Sequence, residues 1–148
     1  MPALFDKMGI RFQYPENWAL DEEDALHGEQ AVSVYSPGGA FWSISLHDIG
    51  IEPKELTKTV LNAMKEGYED FEYEPAYETV QGTDMQGYDL NFYCLDLTNT
   101  ALVRGFRLPT ASCVVLCQAE DREFNAVEPV FRAITASLLA GVRDEDDD

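Results

Sequence analysis

Residues 112–119 of this 148-residue chain have the sequence Ser-Cys-Val-Val-Leu-Cys-Gln-Ala, and this stretch decides the fold. Side chains alternate between the two faces of a β-strand, and here both faces are apolar. Val114 and Leu116 lie on one face, and Cys113 and Val115 lie on the other. An apolar strand of this kind, bounded by turns, is typical of the interior of a sheet. We therefore expect a central strand in a sheet that is covered on both sides.

Two amphipathic helices are predicted to form these covering layers. Apolar residues recur at spacings of three and four after Pro53, which suits the first turn of a helix because its missing N–H needs no partner there. We expect this helix to end within residues 67–70. A second helix with the same spacing lies near the end of the chain. Asn125 and Glu128 are predicted to cap its start, which places Pro129 in its first turn.

Much of the remaining chain alternates apolar and polar side chains with a period of two, which predicts β-strands. Pro75 cannot donate to a ladder, so residues 71–80 are expected to form an edge strand or an irregular one. Residues 31–36 and 41–48 flank a Pro-Gly-Gly-Ala turn and predict a hairpin. The other predicted strands are residues 9–14, 18–20, 88–97 and 101–108, with turns at 15–17, 81–87, 98–100 and 109–111 and a solvated loop at 21–30.

Short connections of the hairpin type make the predicted sheet mainly antiparallel. The expected fold class is α+β, with a sheet of about six to eight strands covered by two main helices in an αβα sandwich. Residues 1–140 are expected to form a single domain, because the length suits one core and 45% of the chain is hydrophobic. Residues 141–148 are predicted to be an acidic, disordered tail.

The composition limits the kinds of partner. The chain carries 28 Asp and Glu against 10 Lys and Arg, which gives a formal net charge of -18. Because polyphosphate binding depends on Lys and Arg, we expect neither nucleic acid nor an anionic membrane as a partner. No run approaches the ~18 apolar residues that would cross a bilayer, and no signal-peptide pattern is visible. We expect a soluble, cytoplasmic protein.

Few residues could support catalysis or metal binding. The three cysteines form no Cys-x-x-Cys pair and suit buried, reduced thiols, in keeping with a cytoplasmic location. His27 lies in an acidic loop that lacks the ligand spacing of a hard-cation site. His47 and Asp48 are neighbours on a strand, where their side chains point to opposite faces. We therefore expect no cofactor, no metal and no enzymatic activity.

Three stretches point to a known family. They are Phe-Gln-Tyr-Pro-Glu-Asn-Trp at residues 12–18, the hydrophobic helix after Glu52 and Pro53, and Phe-Arg-Ala-Ile-Thr-Ala-Ser-Leu at residues 131–138. With the order of elements, they resemble the PsbP-like superfamily, whose relatives include DcrB-like bacterial proteins and the nuclear-transport factor that binds the GTPase Ran. The resemblance covers residues 8–139. It implies an αβα sandwich that binds other proteins or serves as an accessory factor, without established enzymatic activity.

Aromatic residues and one arginine are the candidates for binding. Tyrosine and tryptophan offer large contact areas with a polar group, which suits protein interfaces. Arg104 shares a strand face with apolar residues, so its charge must be paired or reach water. Either Asp89 or Asp96 could pair with it, or it could bind an anion. The aromatic candidates are Trp18, Tyr73, Tyr77 and Tyr93.

Three functions follow from these features. The first is a non-catalytic binding or accessory module that contacts an unidentified protein partner, through a sheet face or the edge strand near residues 73–80. Homodimer formation stays open in this case. The second is binding of a small anionic ligand, or an enzyme, with a site between sheet and helix near Arg104. The third is an accessory protein whose acidity shields a basic partner.

Overall fold

Strands account for most of the elements. The computed structural model of the chain describes residues 2–22 and 30–146. Within these residues there are nine strands and two helices. In chain order they are β1 (Pro2–Lys7), β2 (Ile10–Pro15), β3 (Ala19–Asp21), β4 (Gln30–Tyr35), β5 (Phe41–His47), α1 (Pro53–Gly67), β6 (Glu69–Val80), β7 (Thr83–Cys94), β8 (Leu97–Leu108), β9 (Ala111–Glu120) and α2 (Asp121–Asp146).

Seven strands form one antiparallel sheet in the order β3-β4-β5-β9-β8-β7-β6. β9 lies in the middle, hydrogen-bonded to β5 on one side and β8 on the other. Cys113, Val114 and Val115 of this strand are buried, although they alternate between the two faces. The prediction of a central strand that is covered on both sides is confirmed. β1 and β2 form a separate two-stranded sheet.

The two faces of the main sheet have different covers. α1 packs on β7, β8 and β9 on one face, which we call the α1 face. α2 and the sheet of β1 and β2 cover the opposite face, which we call the α2 face. The molecule is thus an antiparallel sheet between helical layers. This confirms the predicted α+β fold with two main helices.

On the α2 face, the small sheet holds α2 against the large one. The ring of Phe12 from β2 packs on the ring of Trp42 from β5, with 4.8 Å between centroids. The indole Nε1 of Trp42 donates a hydrogen bond to Thr135 Oγ1 of α2 at 2.9 Å. The backbone N–H of Gln13 donates to Ser137 Oγ at 2.9 Å. α2 is therefore bonded to both sheets.

On the α1 face, the helix rests on a smaller apolar cluster. Leu61 and Met64 of α1 pack with Leu90 of β7 in this cluster. The first turn of the helix comes very close to the sheet at Gly105 of β8. A β-carbon at this glycine would lie 2.9 Å from the carbonyl oxygen of Pro53. The absence of a side chain at that position allows α1 to sit this close.

The predicted turn at residues 98–100 is wrong. The turn between β7 and β8 is formed by Leu95 and Asp96, with φ of 54° and 63°, and β8 begins at Leu97. Two positive φ values in a row are the conformation of a type I′ hairpin turn, which usually contains Asn and Gly. The sequence lacks both at these positions. Thr-Asn-Thr at 98–100 is therefore the stronger turn signal, although it lies within the strand.

The predicted start of the last helix is also wrong. α2 begins at Asp121, one turn before Asn125, so Pro129 lies inside the helix rather than in its first turn. Asp121 and Glu123 place negative charge in the first turn, where the helix dipole is positive. This interaction favours the earlier start over the capping box.

Some predictions concern the ends and a loop of the chain. β1 was not foreseen, although it pairs with β2 along its full length. The solvated loop predicted at residues 21–30, with His27, lies largely outside the described residues. α2 continues to Asp146, into the segment for which a disordered tail is predicted. Residues 147–148 lie outside the described residues.

Candidate functional site

β6 leaves one long side of the sheet open. It has 12 residues, whereas β3 at the opposite edge has three. In the part of the chain that the structure describes, no strand pairs with the outer side of β6. The edge strand predicted for residues 71–80 is confirmed. Unpaired N–H and C=O groups along such an edge can accept a further strand.

The hairpin between β6 and β7 determines which backbone groups face outward. Gln81 and Gly82 form its two-residue turn, with φ of 50° and 78°. The flanking Val80 and Thr83 are opposite each other and form a hydrogen-bonded pair in a turn of this type. Because such pairs alternate along an antiparallel ladder, the odd-numbered residues 73–79 direct their backbone groups away from β7. Pro75 is among them, so its missing N–H interrupts no bond of the sheet.

Tyr73 and Tyr77 border this open edge on the α1 face. The Nζ atom of Lys65 in α1 lies 5.4 Å from the ring centroid of Tyr73. Tyr88 of β7 packs edge-on against the same ring at 5.9 Å. Tyr77 is 80% exposed. Residues four apart on a strand share a face and lie about 14 Å from each other, so the two rings flank one side of the edge.

Glu72 and Glu74 border the edge on the α2 face. Glu74 lies directly opposite Asp89 of β7, which points to the same face as Arg104. Both glutamates are exposed. Among the described residues, neither carboxylate has a Lys or Arg within ion-pair distance. The open edge therefore has tyrosines on one side and unneutralised glutamates on the other.

Arg104 of β8 lies further inside the same face, and all three of its guanidinium nitrogens donate hydrogen bonds. Its Nε donates to Glu78 of β6, and one terminal nitrogen donates to Asp89 of β7 at 2.8 Å. The other terminal nitrogen donates to the backbone carbonyls of Tyr88 and Val103, each at 3.1 Å. The arginine side chain is only 11% exposed. It therefore ties three neighbouring strands together.

The environment of Arg104 favours its charged form. Burial lowers the pKa of its guanidinium, but hydrogen bonds and charge interactions with Glu78 and Asp89 outweigh this effect and raise the pKa above its usual value. Each of the three guanidinium nitrogens has an oxygen partner, and these hydrogen bonds use four of the five N–H donors. The arrangement suits a structural ion pair and gives no support to an anion-binding role.

One of the two predicted partners of Arg104 is correct. Asp89 is a partner, whereas Asp96 lies in the turn at the far end of the hairpin and forms no bond to it. Glu78 was missed. Its pairing with Arg104 crosses β7, which lies between their two strands. Only the register of both hairpins together could have revealed it from the sequence.

A small cavity of about 190 Å³ lies beside Arg104, between β8 and α2. Its lining is mostly apolar, with Met85, Leu102 and Phe131 among the contributors. A larger groove of about 540 Å³ lies between the end of β2 and α2, lined by residues that include Tyr14 and Val130. Three charged side chains, Glu78, Arg104 and Arg132, also line the small cavity, but they are joined to one another by ion pairs. We therefore assign the candidate site to the open edge.

The remaining aromatic candidates do not lie on the edge strand itself. Trp18 is a predicted binding candidate, but only 8% of its surface is accessible, and its ring packs edge-on against Phe131 at 6.0 Å. It belongs to the core cluster that α2 covers. Tyr93 is 44% exposed, but it lies on the α2 face, since its neighbour Phe92 is in the α1 cluster.

The thiols and histidines form no reactive centre in the described residues. Burial raises the pKa of Cys113 to about 12 and also raises the pKa of Cys117, so both thiols are protonated at neutral pH. His47 bonds to Ser45, whereas Asp48 accepts a bond from the N–H of Gly50. No group of three His, Cys, Asp or Glu in the described ranges could hold a metal ion.

The chain is similar to known proteins in its structure rather than in its sequence. No protein-family model matches the chain, and no curated protein matches it either. The solution structure of the cyanobacterial PsbP protein CyanoP from Synechocystis sp. PCC 6803 superposes with a TM-score of 0.61 at 13% identity, over 92% of this chain and 90% of that one. The Ran-binding protein Mog1p from Saccharomyces cerevisiae gives a TM-score of 0.54 at 14% identity, over 95% of this chain and 91% of that one.

A third similar structure is LpqN of Mycobacterium tuberculosis, which is involved in cell envelope biogenesis. Its TM-score is 0.52 at 16% identity, over 90% of this chain and 86% of that one. Identities this low establish the fold alone. The resemblance to the PsbP-like superfamily is confirmed at that level. Neither helix in the described residues contains a stretch long and apolar enough to cross a bilayer.

Proposed function

We propose that the protein is a non-catalytic binding module that contacts a protein partner through the open edge of β6. The observation that carries this proposal is the 12-residue edge strand, whose outward backbone groups lie beside the exposed ring of Tyr77. An added strand gains affinity from main-chain hydrogen bonds, and aromatic rings add contact area. Mog1p is a Ran-binding protein with the same fold, which supports a binding role here.

The chemistry of the interior supports a role without catalysis. Arg104 is occupied by carboxylates and carbonyls, and the buried thiols of Cys113 and Cys117 are held in their protonated form. Protonated thiols are poor nucleophiles. We also propose a cytoplasmic location, which the three free cysteines support because disulfides are rare in reducing compartments.

Site-specific photo-crosslinking tests the proposal. A benzoylphenylalanine is introduced at Tyr77 or, as a matched control, at Asn62, which is exposed on α1. After irradiation in the native cell, we expect one discrete protein adduct from Tyr77 and none from Asn62. Equal adducts from both positions, or none from Tyr77, would overturn the proposal. Mass spectrometry of the adduct identifies the crosslinked segment of the partner.

A further inference from the structure

We infer that the partner segment at this edge is an extended strand in which Lys or Arg alternates with apolar residues, with the basic side chains facing Glu72 and Glu74. The inference rests on the proposed function, because it specifies which strand the edge of β6 accepts. It comes from the contrast between the two faces of β6, which carry different side chains along the same open edge.

The geometry of a β-sheet turns the difference between the two faces of β6 into a predicted sequence pattern for the partner strand. Residues directly opposite each other on neighbouring strands point to the same face, and successive residues alternate between faces. Every second residue of an added strand therefore lies beside Tyr73 or Tyr77, and the residues between lie beside Glu72 or Glu74. This holds for a parallel or an antiparallel partner. The partner thus needs one chemistry at odd positions and another at even positions.

Charge determines which chemistry belongs beside the glutamates. Among the described cations near β6, Lys65 lies over Tyr73 on the α1 face, and Arg104 and Arg132 form ion pairs with Glu78. Glu72 and Glu74 therefore have no neutralising group in the described part of the chain. Opposite charges on adjacent strands stabilise their pairing. A net charge of -18 also attracts a basic segment over longer distances.

A second copy of the chain is a poor occupant of this edge. Two copies of β6 related by a two-fold axis perpendicular to the sheet would pair even-numbered residues with even-numbered residues. Glu72, Glu74 and Glu78 would then share one face with their own counterparts. Like charges on opposing strands are destabilising, and each copy adds a net charge of -18. Homodimer formation through this edge is therefore disfavoured.

Three blocked peptides of equal length test the inference by NMR titration of the isotope-labelled full chain. The first alternates lysine with valine and threonine, the second has glutamine in place of each lysine, and the third groups the lysines of the first in one block. We expect the alternating lysine peptide to shift the amide signals of β6. Its dissociation constant should be at least about tenfold lower than those of the other two at low salt, and should rise with salt.

Matched variants separate the effect of Glu72 and Glu74 on peptide binding from the effect of the net charge of the whole molecule. Glu72→Gln combined with Glu74→Gln should weaken binding of the alternating lysine peptide about fivefold. The control combines Glu16→Gln with Glu66→Gln, which removes the same charge from exposed positions elsewhere. At 0.15 M ionic strength, where the Debye length is about 8 Å, the control should change binding less than twofold, because charges farther than this from the peptide are screened. Equal losses in both variants would overturn the inference.

The remaining outcomes distinguish a failure of the basic sequence pattern from a failure of the proposed binding through the edge of β6. If the glutamine peptide binds β6 as tightly as the lysine peptide, the edge accepts strands and only the basic pattern is wrong. If the block peptide binds equally well, diffuse charge attraction explains the contact, and both the alternation and strand addition are wrong. If no peptide shifts β6, its glutamates and Pro75 serve only to protect the edge from pairing, and both proposals fail.

Discussion

Gly87 of β7 allows an approach of β8 that no side chain at this position would permit. A β-carbon there would lie 1.8 Å from the carbonyl oxygen of Val103 and 2.7 Å from its carbon. Both atoms belong to the backbone, so relief of the clash requires a shift of β8 itself. We expect Gly87→Ala to lower the free energy of unfolding by about 3 kcal/mol, measured by urea denaturation.

Gly67 provides the matched control for this substitution. It ends α1, and a β-carbon there would meet nothing within 4 Å. Gly67→Ala should change the free energy of unfolding by no more than about 1 kcal/mol, in the stabilising direction, because alanine restricts the unfolded chain. Equal losses in the two variants would show that the close approach of β8 at Gly87 does not exist.

Arg104 is the residue whose loss should affect the open half of the sheet most. Arg104→Met keeps the length of the side chain but leaves Glu78 and Asp89 without their shared cation. Removing one member of a partly buried charge network costs more than the pair contributes, so we expect a loss of about 2 kcal/mol in the free energy of unfolding. The measurement is again urea denaturation.

Arg107 offers an exposed ion pair for comparison. Its terminal nitrogen lies 3.2 Å from a carboxylate oxygen of Glu52, and its side chain is 44% exposed. Arg107→Met should lower the free energy of unfolding by no more than about 0.5 kcal/mol, since solvent screens such pairs. If Arg104→Met is as mild as this control, the network around Arg104 does not join the three strands.

Among the elements, α2 allows a direct test between the structure and the capping pattern in its sequence. In the structure Asn125 and Pro129 are exposed interior positions of the helix. Asn125→Ala should then raise the free energy of unfolding by about 0.5 kcal/mol, and Pro129→Ala should raise it by about 2 kcal/mol. If the helix began at Asn125, the first substitution would instead cost about 1 kcal/mol through the lost cap. Thermal unfolding of both variants decides the sign.

The thiols of β9 should react slowly, because the strand is covered on both faces. Cys113 and Cys117 are buried with raised pKa values, whereas Cys94 at the end of β7 is half-buried. We expect Cys94 to react with an aromatic disulfide reagent about a hundredfold faster than the two thiols of β9 in the folded protein.

The Cys94→Ser variant controls for this assignment. It should lack the fast reaction, while denaturant should expose both thiols of β9 to the reagent. A fast reaction that persists in Cys94→Ser would show that β9 opens readily, and its central position in the sheet would then give little protection.

The elements predicted correctly are those whose signal lies within one segment. The two apolar faces of β9 and the apolar stripe of α1 are local patterns, and both predictions are confirmed. The turn at Leu95 and Asp96 was missed because its conformation comes from the pairing of β7 with β8 rather than from residues that favour it. The link from Arg104 to Glu78 was missed for a similar reason, since it depends on the register of three strands. The open edge was foreseen from Pro75, whereas the contrast between its faces required the structure.

At the scale of the whole molecule, the two edges of the main sheet differ in length and in exposure. The β3 edge has three paired residues, a length that offers little to an added strand. The β6 edge has 12 residues, with its outward groups beside exposed side chains. The helices pack mainly on the middle of the sheet and reach β6 through side chains such as Lys65 and Arg132, so in the described part of the chain the outer side of β6 stays unpaired. The architecture therefore concentrates its capacity for strand pairing on one side, and the net charge determines what can approach that side.

This net charge should also make the stability of the molecule depend on salt. A formal charge of -18 on a 148-residue chain means that folding brings many like charges together, and their repulsion disfavours the compact state. The Debye length falls from about 20 Å at 0.02 M salt to about 4 Å at 0.5 M, which screens this repulsion. We expect the free energy of unfolding to rise by about 1–2 kcal/mol over this range of sodium chloride, measured by urea denaturation.

A variant with fewer charges separates screening from other effects of salt. Glu16→Gln, Glu66→Gln, Glu72→Gln and Glu74→Gln together remove four negative charges from exposed positions. Because repulsion grows with the square of the charge, this variant should be more stable than the parent at 0.02 M salt and should gain less on adding sodium chloride. An equal gain in both proteins would mean that salt acts on apolar burial rather than on charge. Self-repulsion would then not limit the stability of this fold, and the acidity would bear on its partners alone.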